Sequence, residues 1–533
     1  MKSLNRLMLA LLSVLLLSIP FYRWGSGLIL MAAFVPLLFI EDAVLRDKQE
    51  GRKGRLVWYC IIVFALFNIL TTYWVKHAAW VGIIAAVIVN TTYMTLTFWL
   101  FHVTRRRLGN RLGYASLVVY WITFEFLYLR AQISFPWLLL GNAFSNDVML
   151  IQWYEVTGVL GGTLWVLLMN IAIFRTIKKL RETRSLRATR PAISWVVGLF
   201  LVPALISLVR FMTYEEEPDP REIVIVQPNI DPYMKFIEMP QSEQTEHLIR
   251  IADSLTTPRT DYIVGPETFI NNGLWENQVE MNSEVRAIRE FLSRYPRARM
   301  VLGATTYRLY TDPSEYTPTS RPIQEGMYRF DSFNSALQLD STGEIPIYHK
   351  SRLVVGVEHM PYARYLGFLE DLTVQLGGAF RSHGTQKFRE TFVSHRDGTR
   401  VAPVICWESI FGEYVTDYVS DAGAHYLFVV TNDGWWKETP GHRQHNSFAR
   451  LRAIETRRSI ARSANTGISC FINQRGQETA RLGWWKRSGL RGTLNRNDHI
   501  TFYVKYGDYI GRAGLFMTVI LLLYTLLARF IKK

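Results

Sequence analysis

Long apolar runs separated by short basic segments fill residues 1–209 and return in residues 508–533. A bilayer core about 30 Å thick needs roughly 20 mostly apolar residues for one helical span, and eight stretches meet or approach that length. The pattern therefore predicts a bundle of about eight transmembrane helices. The predicted spans are Met8–Phe21, Leu28–Ile40, Leu56–Tyr73, Trp80–Phe101, Tyr114–Leu129, Leu160–Phe174, Ile193–Val209 and Tyr509–Ile531.

Lysine and arginine residues gather in three of the loops between these predicted spans. They are Arg46, Lys48, Arg52, Lys53 and Arg55 after the second span, Arg105, Arg106, Arg107 and Arg111 after the fourth, and a run within residues 175–190 after the sixth. Cytoplasmic loops carry an excess of such residues, so we expect both termini in the cytoplasm and residues 210–507 on the opposite side. This topology explains much of the net charge of +15 and argues against a nucleic-acid partner.

Residues 210–507 show a different pattern, with mixed charges, frequent turns and short apolar runs. Eight of the runs are typical of strands, and three segments have apolar residues at helical spacing. Because strands and helices alternate, we predict an α/β domain. The predicted strands are Glu222–Gln227, Tyr262–Val264, Met300–Tyr307, Ser335–Leu339, Val401–Cys406, Tyr426–Thr431, Ile468–Ile472 and Ile500–Val504, and the predicted helices are Ser242–Leu255, Ser283–Arg294 and Arg443–Arg458.

Three side chains with complementary chemistry lie at strand ends in this domain. Glu267 follows a strand through a Gly-Pro turn, Lys350 follows a short strand, and Cys406 ends another. Active sites of α/β domains form at such ends. A thiol is mostly protonated at neutral pH and needs a base or a cation to become a nucleophile. Glu267 is a candidate base, and Lys350 is a candidate cation for the thiolate and a developing oxyanion.

The motifs around these residues resemble those of a known family. The order of Glu, Lys and Cys, with membrane spans on both sides of the domain, is similar to the apolipoprotein N-acyltransferases of the carbon-nitrogen hydrolase (nitrilase) superfamily. This resemblance implies a nitrilase-like αββα sandwich joined to a transmembrane bundle. The most specific motifs are Gly265-Pro266-Glu267-Thr268, Tyr348-His349-Lys350 and Cys406-Trp407-Glu408-Ser409.

The resemblance also implies a role for each site residue. Glu267 corresponds to the general base, Lys350 to the cation that stabilises the intermediate, and Cys406 to the nucleophile. Glu358 is expected to orient the lysine or an incoming amine, and Glu408 to support the site. Aromatic residues that the resemblance places near the substrate are Phe236, Trp407 and Trp435, of which Trp435 is equally well explained as a core residue.

One segment departs from the family's pattern. The chain reads Leu353-Val354-Val355-Gly356-Val357-Glu358-His359-Met360-Pro361 where family members commonly read Leu-Val-Pro-Phe-Gly-Glu-Tyr-Val-Pro. The glycine has moved and one proline is missing. We therefore expect the loop from Val355 to Pro361 to follow a different path over the site.

The family reaction implied for this chain has two steps and needs no cofactor. Cys406 would take an acyl chain from a phospholipid, expected to be phosphatidylethanolamine, and pass it from a thioester to the N-terminal amine of a diacylglyceryl-cysteine apolipoprotein. Water must be kept away from such a thioester. The expected enzyme is a monomer in the bacterial inner membrane, with its catalytic domain in the periplasm.

Other interpretations use the same residues. In a membrane-anchored nitrilase-type amidase, water rather than an amine would resolve the thioester. A transporter with a ligand-binding domain is disfavoured because no pair of broken, charged spans is evident, and a degenerate domain is disfavoured by the intact Glu, Lys and Cys. His442 and His445 lack a third residue at metal-ligand spacing, so we expect no metal.

Overall fold

The computed structural model describes residues 3–235, 239–323, 328–362 and 382–531. The chain forms two compact units. The first runs from the amino terminus to Tyr214, apart from residues 77–79, and resumes at Tyr506, whereas the second contains residues 77–79 and Glu215–Lys505.

Apolar helices make up the first unit. In the described part of the chain, seven helices are long and apolar enough to cross a membrane. Their α-helical parts are α1 (Ser3–Ser18), α2 (Val35–Gln49), α3 (Leu56–Thr72), α4 (Trp80–Tyr128), α5 (Tyr154–Thr183), α6 (Leu186–Thr213) and a last helix, Tyr509–Ile531.

Helix α4 contains two of the predicted spans. It has 49 residues, and a straight helix of that length would measure about 73 Å, more than twice the thickness of a bilayer core. Gly109 breaks it with a φ of +81° and a ψ of −177°. Since the break lies between Trp80–Phe101 and Tyr114–Leu129, the seven helices carry all eight predicted apolar segments.

Helix α2 continues beyond its predicted end at Ile40 because its charged residues have partners. Glu41 and Asp42 are buried in α2. The Arg105 guanidinium, which the sequence pattern assigned to a loop, lies buried within α4 and donates to both carboxylates, at 2.7 Å to Asp42 Oδ1. Burying a charged side chain costs much less free energy when the charge is paired and hydrogen-bonded, so the helix can continue past these residues.

The second unit contains two mixed β-sheets. Within the described residues, the first sheet has the order β14-β1-β2-β4-β6-β5, with β3 paired to β4 and β7 to β6, and the second has the order β13-β12-β11-β10-β9-β8. The strands are β1 (Pro220–Gln227), β2 (Thr260–Val264), β3 (Ile270–Trp275), β4 (Arg299–Tyr310), β5 (Arg321–Ile323), β6 (Tyr328–Leu339), β7 (Ile347–His349), β8 (Phe392–Val393), β9 (Arg400–Ile405), β10 (Tyr426–Thr431), β11 (Ser459–Ala464), β12 (Cys470–Ile472), β13 (Glu478–Arg481) and β14 (Ser488–Asn495).

Helices cover the outer face of each sheet, and the inner faces pack together. Val226 of β1 lies in one apolar core with Leu248 and Ile288 from the helices of the first sheet. Between the sheets, the rings of Tyr262 and Phe428 are 5.2 Å apart. This αββα sandwich confirms the predicted fold. The helices are α7 (Gln241–Leu255) and α8 (Ser283–Ser293) on the first sheet, and α9 (Gly412–Ser420) and α10 (Pro440–Thr456) on the second.

The prediction of a strand at Ile500–Val504 is wrong. The structure has a short helix, Phe502–Tyr506, in this segment. The Thr501 hydroxyl accepts a hydrogen bond from Val504 N–H at 3.1 Å. Threonine is favoured in strands but also caps helix N-termini, and here the capping contact decides the conformation. The other seven predicted strands overlap observed ones.

Candidate active site

The turn after β2 holds Glu267 against β4. The N–H of Gly303 donates to Pro266 O at 2.9 Å, and its carbonyl accepts from Phe269 N–H at 2.8 Å. A Cβ on Gly303 would lie 2.6 Å from Glu267 Cα, so a glycine is required for this approach. The Glu267 side chain is buried at the strand end.

Lys350 and Asn334 join Glu267 to Glu358. The buried Lys350 ammonium donates to Glu267 Oε1 at 3.0 Å and to Glu358 Oε1 at 2.9 Å. Asn334 Nδ2 donates to the same two oxygens at 2.8 Å each. Glu358 Oε2 accepts from Val354 N–H at 2.8 Å. Within the described residues, Glu267 Oε2 is thus the carboxylate oxygen of this group that accepts no hydrogen bond.

Cys406 occupies a strained position directly after β9. Its φ of +47° lies in the left-handed region, which residues with a side chain seldom adopt. The Cys406 carbonyl accepts from Ser409 Oγ at 2.7 Å and lies 3.2 Å from His445 Nε2. The Cys406 side chain is buried, with 7% exposed, and the charges of Glu267 and Lys350 both act on its thiol.

Glu408 connects the segments that carry Lys350 and Cys406. Its carboxylate is fully buried. It accepts from the N–H of Ser351 at 2.8 Å and from the N–H of Ile405 at 2.9 Å. It also accepts from three tyrosine hydroxyls, those of Tyr348, Tyr414 and Tyr418. The residue after Lys350 and the residue before Cys406 are therefore tied to one carboxylate.

Burial and charge set the protonation of the site. Burial and the Glu267 carboxylate raise the pKa of the Cys406 thiol well above its ordinary value, and the Lys350 ammonium opposes them. Burial acts to lower the pKa of Lys350, but Glu267 and Glu358 outweigh it and raise the pKa. Burial likewise acts to raise the pKa of Glu358, and Lys350 outweighs it and lowers the pKa. The resting thiol is therefore protonated beside a charged lysine.

The sequence patterns missed two residues of this site, Asn334 and Lys235. The predicted strand began at Ser335, although the asparagine that directly precedes this run was a usable signal. The buried Lys235 ammonium donates to Thr268 O, in the turn that carries Glu267. Burial lowers the pKa of Lys235 to about 7, against the opposing charge of Glu267. Lys235 directly precedes Phe236, which the resemblance singled out.

Two of the three aromatic residues predicted near the substrate lie among the described residues. Trp407 is buried, with its ring 6.4 Å from that of Phe411. Trp435 is half-buried and meets the Tyr233 ring edge-on at 5.3 Å. Phe236 lies outside the described residues.

The altered loop turns back on itself and still presents Glu358 to Lys350. Gly356 has a φ of +78°, and its N–H donates to His359 O at 2.8 Å. The Glu358 N–H donates to Val354 O at 2.9 Å. The positive φ favours glycine at this shifted position.

The two histidines considered for metal binding have different surroundings. The His442 ring stacks on Trp484 with 4.2 Å between centroids. His445 Nδ1 lies 2.9 Å from Asp433 Oδ1. In the part of the chain that the structure describes, no group of three or more His, Cys, Asp or Glu residues is arranged to hold a metal ion.

Comparison with known proteins relates both units to one family. Residues 13–172 match the family model of the apolipoprotein N-acyltransferase N-terminal domain, and residues 224–500 match that of the carbon-nitrogen hydrolases. A Chlorobaculum tepidum protein named apolipoprotein N-acyltransferase is 31% identical over 518 residues, which cover 94% of this chain and 93% of that protein. The chain belongs to the apolipoprotein N-acyltransferase family.

Further apolipoprotein N-acyltransferases match over similar lengths. The protein from Geobacter metallireducens is 26% identical and covers 94% of this chain and 91% of its own length. The protein from Rhodopseudomonas palustris is 24% identical, with coverages of 95% and 92%. The family resemblance inferred from the motifs is thus confirmed along nearly the whole chain.

Proposed function

We propose that this protein transfers an acyl chain from a membrane phospholipid to the N-terminal amine of a diacylglyceryl-cysteine apolipoprotein, through a thioester on Cys406. The observation that carries the proposal is the buried group of Glu267, Lys350, Glu358 and Asn334, whose charges act on a thiol held at a strained turn. Membership of the family supports the choice of substrates.

In the first step, Glu267 Oε2 removes the Cys406 proton as the sulfur attacks the ester carbonyl. This oxygen suits the role because, among the described residues, it accepts no hydrogen bond. Lys350 stabilises the oxyanion of the tetrahedral intermediate. When the intermediate collapses, Glu267 returns the proton to the departing oxygen, and lysophospholipid leaves a Cys406 thioester.

In the second step, the amine of the apolipoprotein attacks the thioester carbonyl. Glu267 accepts a proton from the attacking nitrogen and returns it to the sulfur, which regenerates the thiol and releases an amide. Glu358 keeps Lys350 oriented, and its charge helps to keep the lysine protonated. Glu408 maintains the spacing between the segments that carry Lys350 and Cys406.

Both proposed substrates are lipids or lipid-anchored, which explains the attachment of the catalytic domain to apolar helices. We place the protein in the inner membrane of a bacterium, with the catalytic domain in the periplasm and both termini in the cytoplasm. Phosphatidylethanolamine is the proposed donor. All proposed catalytic side chains come from one chain, so a monomer suffices.

The test is incubation of the purified full-length protein in detergent with alkyne-tagged phosphatidylethanolamine. We expect a hydroxylamine-labile label on the peptide that contains Cys406, detected by mass spectrometry. Cys406→Ala should lose the label. Cys470→Ala, the matched control at another buried cysteine, should keep it. No label on folded wild-type protein would refute the phospholipid donor.

Discharge of the label separates acyl transfer from amidase-type hydrolysis. A diacylated lipopeptide should remove the label much faster than buffer alone and should gain the acyl chain as an amide. If buffer discharges the thioester as fast as the lipopeptide does, water resolves it and the transferase proposal fails.

A further inference from the structure

Thr431 lies at the same end of the second sheet as Cys406, and the mechanism above does not use it. Thr431 ends β10, and Cys406 directly follows β9. In this parallel pair Val430 lies opposite Ile405, so Thr431 and Cys406 come next to each other on adjacent strands. The Thr431 side chain is fully buried, and its hydroxyl donates to Asp433 Oδ1 at 2.9 Å. A hydroxyl with a defined partner therefore lies beside the proposed nucleophile.

Asp433 keeps other hydrogen bonds if this hydroxyl turns away. Arg462 Nη2 donates to Asp433 Oδ2 at 2.7 Å, and His445 Nδ1 lies 2.9 Å from Asp433 Oδ1. All three side chains are fully buried. Rotation about the Cβ–Oγ1 bond of Thr431 can therefore redirect the hydroxyl proton without leaving a buried carboxylate oxygen unpaired.

The Thr431 hydroxyl also reaches the sulfur of Cys406. Burial and then Glu267 raise the pKa of the Cys406 thiol, with a smaller contribution from Asp433. Lys350 and a hydrogen bond from Thr431 act to lower this pKa. A hydrogen bond to the charged form of a group favours that form, and the thiolate is the nucleophilic form of cysteine. The contact therefore favours the state of the sulfur that reacts.

We propose that Thr431 is a further catalytic residue, whose hydroxyl turns from Asp433 to the Cys406 sulfur and donates a hydrogen bond to it while the sulfur carries negative charge. The inference rests on the proposed function. In the first step the S–H bond breaks, Glu267 takes the proton, and the hydroxyl stabilises the attacking sulfur. In the second step the C–S bond breaks, and the hydroxyl stabilises the departing sulfur until Glu267 returns the proton. The proton of Thr431 stays on Oγ1 throughout.

Two substitutions at Thr431 separate the hydroxyl from the rest of the side chain. Thr431→Val removes the hydroxyl and keeps a similar shape, whereas Thr431→Ser keeps the hydroxyl. For Thr431→Val, we expect thioester formation from tagged phosphatidylethanolamine to slow by about 10-fold or more, the scale of one hydrogen bond to a charged group. Thr431→Ser should retain most of the rate.

Thr456→Val is the matched control for the loss of a buried hydroxyl. Thr456 is fully buried, and its hydroxyl donates to Arg452 O at 2.7 Å. Thr456→Val should therefore form the thioester at the wild-type rate.

Alkylation of the sulfur supplies a readout that a purely structural residue would not change. Iodoacetamide reacts with the thiolate, so the pH dependence of Cys406 alkylation, followed by mass spectrometry, reports how readily the thiol loses its proton. In Thr431→Val, we expect the rise in alkylation rate to shift to higher pH by about one unit. Thr431→Ser and Thr456→Val should keep the wild-type pH dependence.

The outcomes are distinguishable. A wild-type pH dependence of alkylation in Thr431→Val would overturn the inference and leave the proposed function intact. Slower thioester formation in Thr431→Val, with that pH dependence unchanged and a lower unfolding temperature, would overturn it for a second reason, since Thr431 would then support only the fold. Failure of the folded wild-type protein to form a thioester, although iodoacetamide alkylates Cys406, would refute the proposed function instead.

Discussion

At the scale of residues, the site depends on how three charges and one amide share hydrogen bonds. The two protons of Asn334 Nδ2 are donated to Glu267 and Glu358, and the Lys350 ammonium lies between the same oxygens. A buried donor shared by two carboxylates reduces their repulsion. It also occupies Oε1 of Glu267, so Oε2 is the oxygen that we propose as the acceptor of the thiol proton.

Asn334→Asp tests this arrangement. The change replaces the donating amide by a third carboxylate beside Glu267 and Glu358, so one of the three carboxylates must bind a proton. This disturbs Glu267, the proposed base. We expect thioester formation on Cys406 to fall at least about 100-fold, the scale of general-base catalysis. Asn473→Asp is a matched control, because Asn473 Oδ1 accepts backbone N–H groups in a turn and aspartate can do the same. Wild-type activity in Asn334→Asp would contradict the proposed sharing.

Lys235 gives the folded protein a distinct pH dependence. Its pKa is about 7 in the folded chain and about 10.4 in an unfolded one. Between these two pH values the unfolded chain binds the proton more readily than the folded chain does. The free energy of unfolding therefore falls as the pH drops towards 7, and below pH 7 the whole destabilisation by the buried charge is present. Lys235→Met removes this penalty and should raise the unfolding temperature, relative to wild type, more at pH 6 than at pH 9.

Lys486→Met is a matched control, because Lys486 is exposed. The unfolding temperature of this variant should differ from that of wild type by the same amount at both pH values. The loss of the hydrogen bond to Thr268 O affects Lys235→Met at both pH values, so only the pH-dependent part reports the buried charge. A larger stabilisation at pH 9 than at pH 6 would contradict the burial of a charged Lys235.

At the scale of elements, Glu267, the proposed base, is placed by the contact of the turn after β2 with β4. Gly303→Ala tests this contact, because the new Cβ would lie 2.4 Å from Thr268 N and 2.6 Å from Glu267 Cα. The turn must move, and a shift of about 1 Å costs on the order of 100-fold in rate. We expect that loss in thioester formation while the protein still folds.

Gly483→Ala is the control for this substitution. Its added Cβ would meet its nearest atom at 3.6 Å, an ordinary contact with a flexible lysine side chain. Gly483→Ala should therefore keep wild-type rates of thioester formation. Unchanged rates in Gly303→Ala would show that the turn does not need its present position.

At the scale of the whole molecule, the break at Gly109 decides the number of crossings. If α4 crosses twice, eight segments cross and both termini lie on one side, whereas a single crossing by α4 would place them on opposite sides. The basic residues predict cytoplasmic termini. Alkaline phosphatase, which is active only outside the cytoplasm, should therefore be inactive when fused after Lys533 and active when fused after Asp219.

A fusion after Arg184, between α5 and α6, should be inactive and serves as the internal control. A fusion after Gly51, between α2 and α3, should also be inactive, because four crossings separate it from Arg184 if α4 crosses twice and three if α4 crosses once. Activity at only one of these two positions would contradict two crossings by α4. Equal activity at all four positions would indicate that the fusions fail to report topology.

Periodicity and composition by themselves determined the apolar segments, the α/β class and half of the strands, because these depend on neighbours along the chain. The order of Glu267, Lys350 and Cys406 identified the family. Strand β14 was missed because it contains only two leucines among glycines and polar residues, and its pairing with β1 supplies the stability that its composition lacks.

Tertiary structure alone decided which distant residues meet. No local pattern in the sequence predicts that Asn334 bridges two carboxylates, that Lys235 contacts the turn that carries Glu267, or that His445 contacts the carbonyl of Cys406. Each of these contacts joins different strands, loops or helices, and the energy of a buried polar group depends on such partners. For the same reason, Glu41 and Asp42 lie inside a helix that their charges alone would have ended.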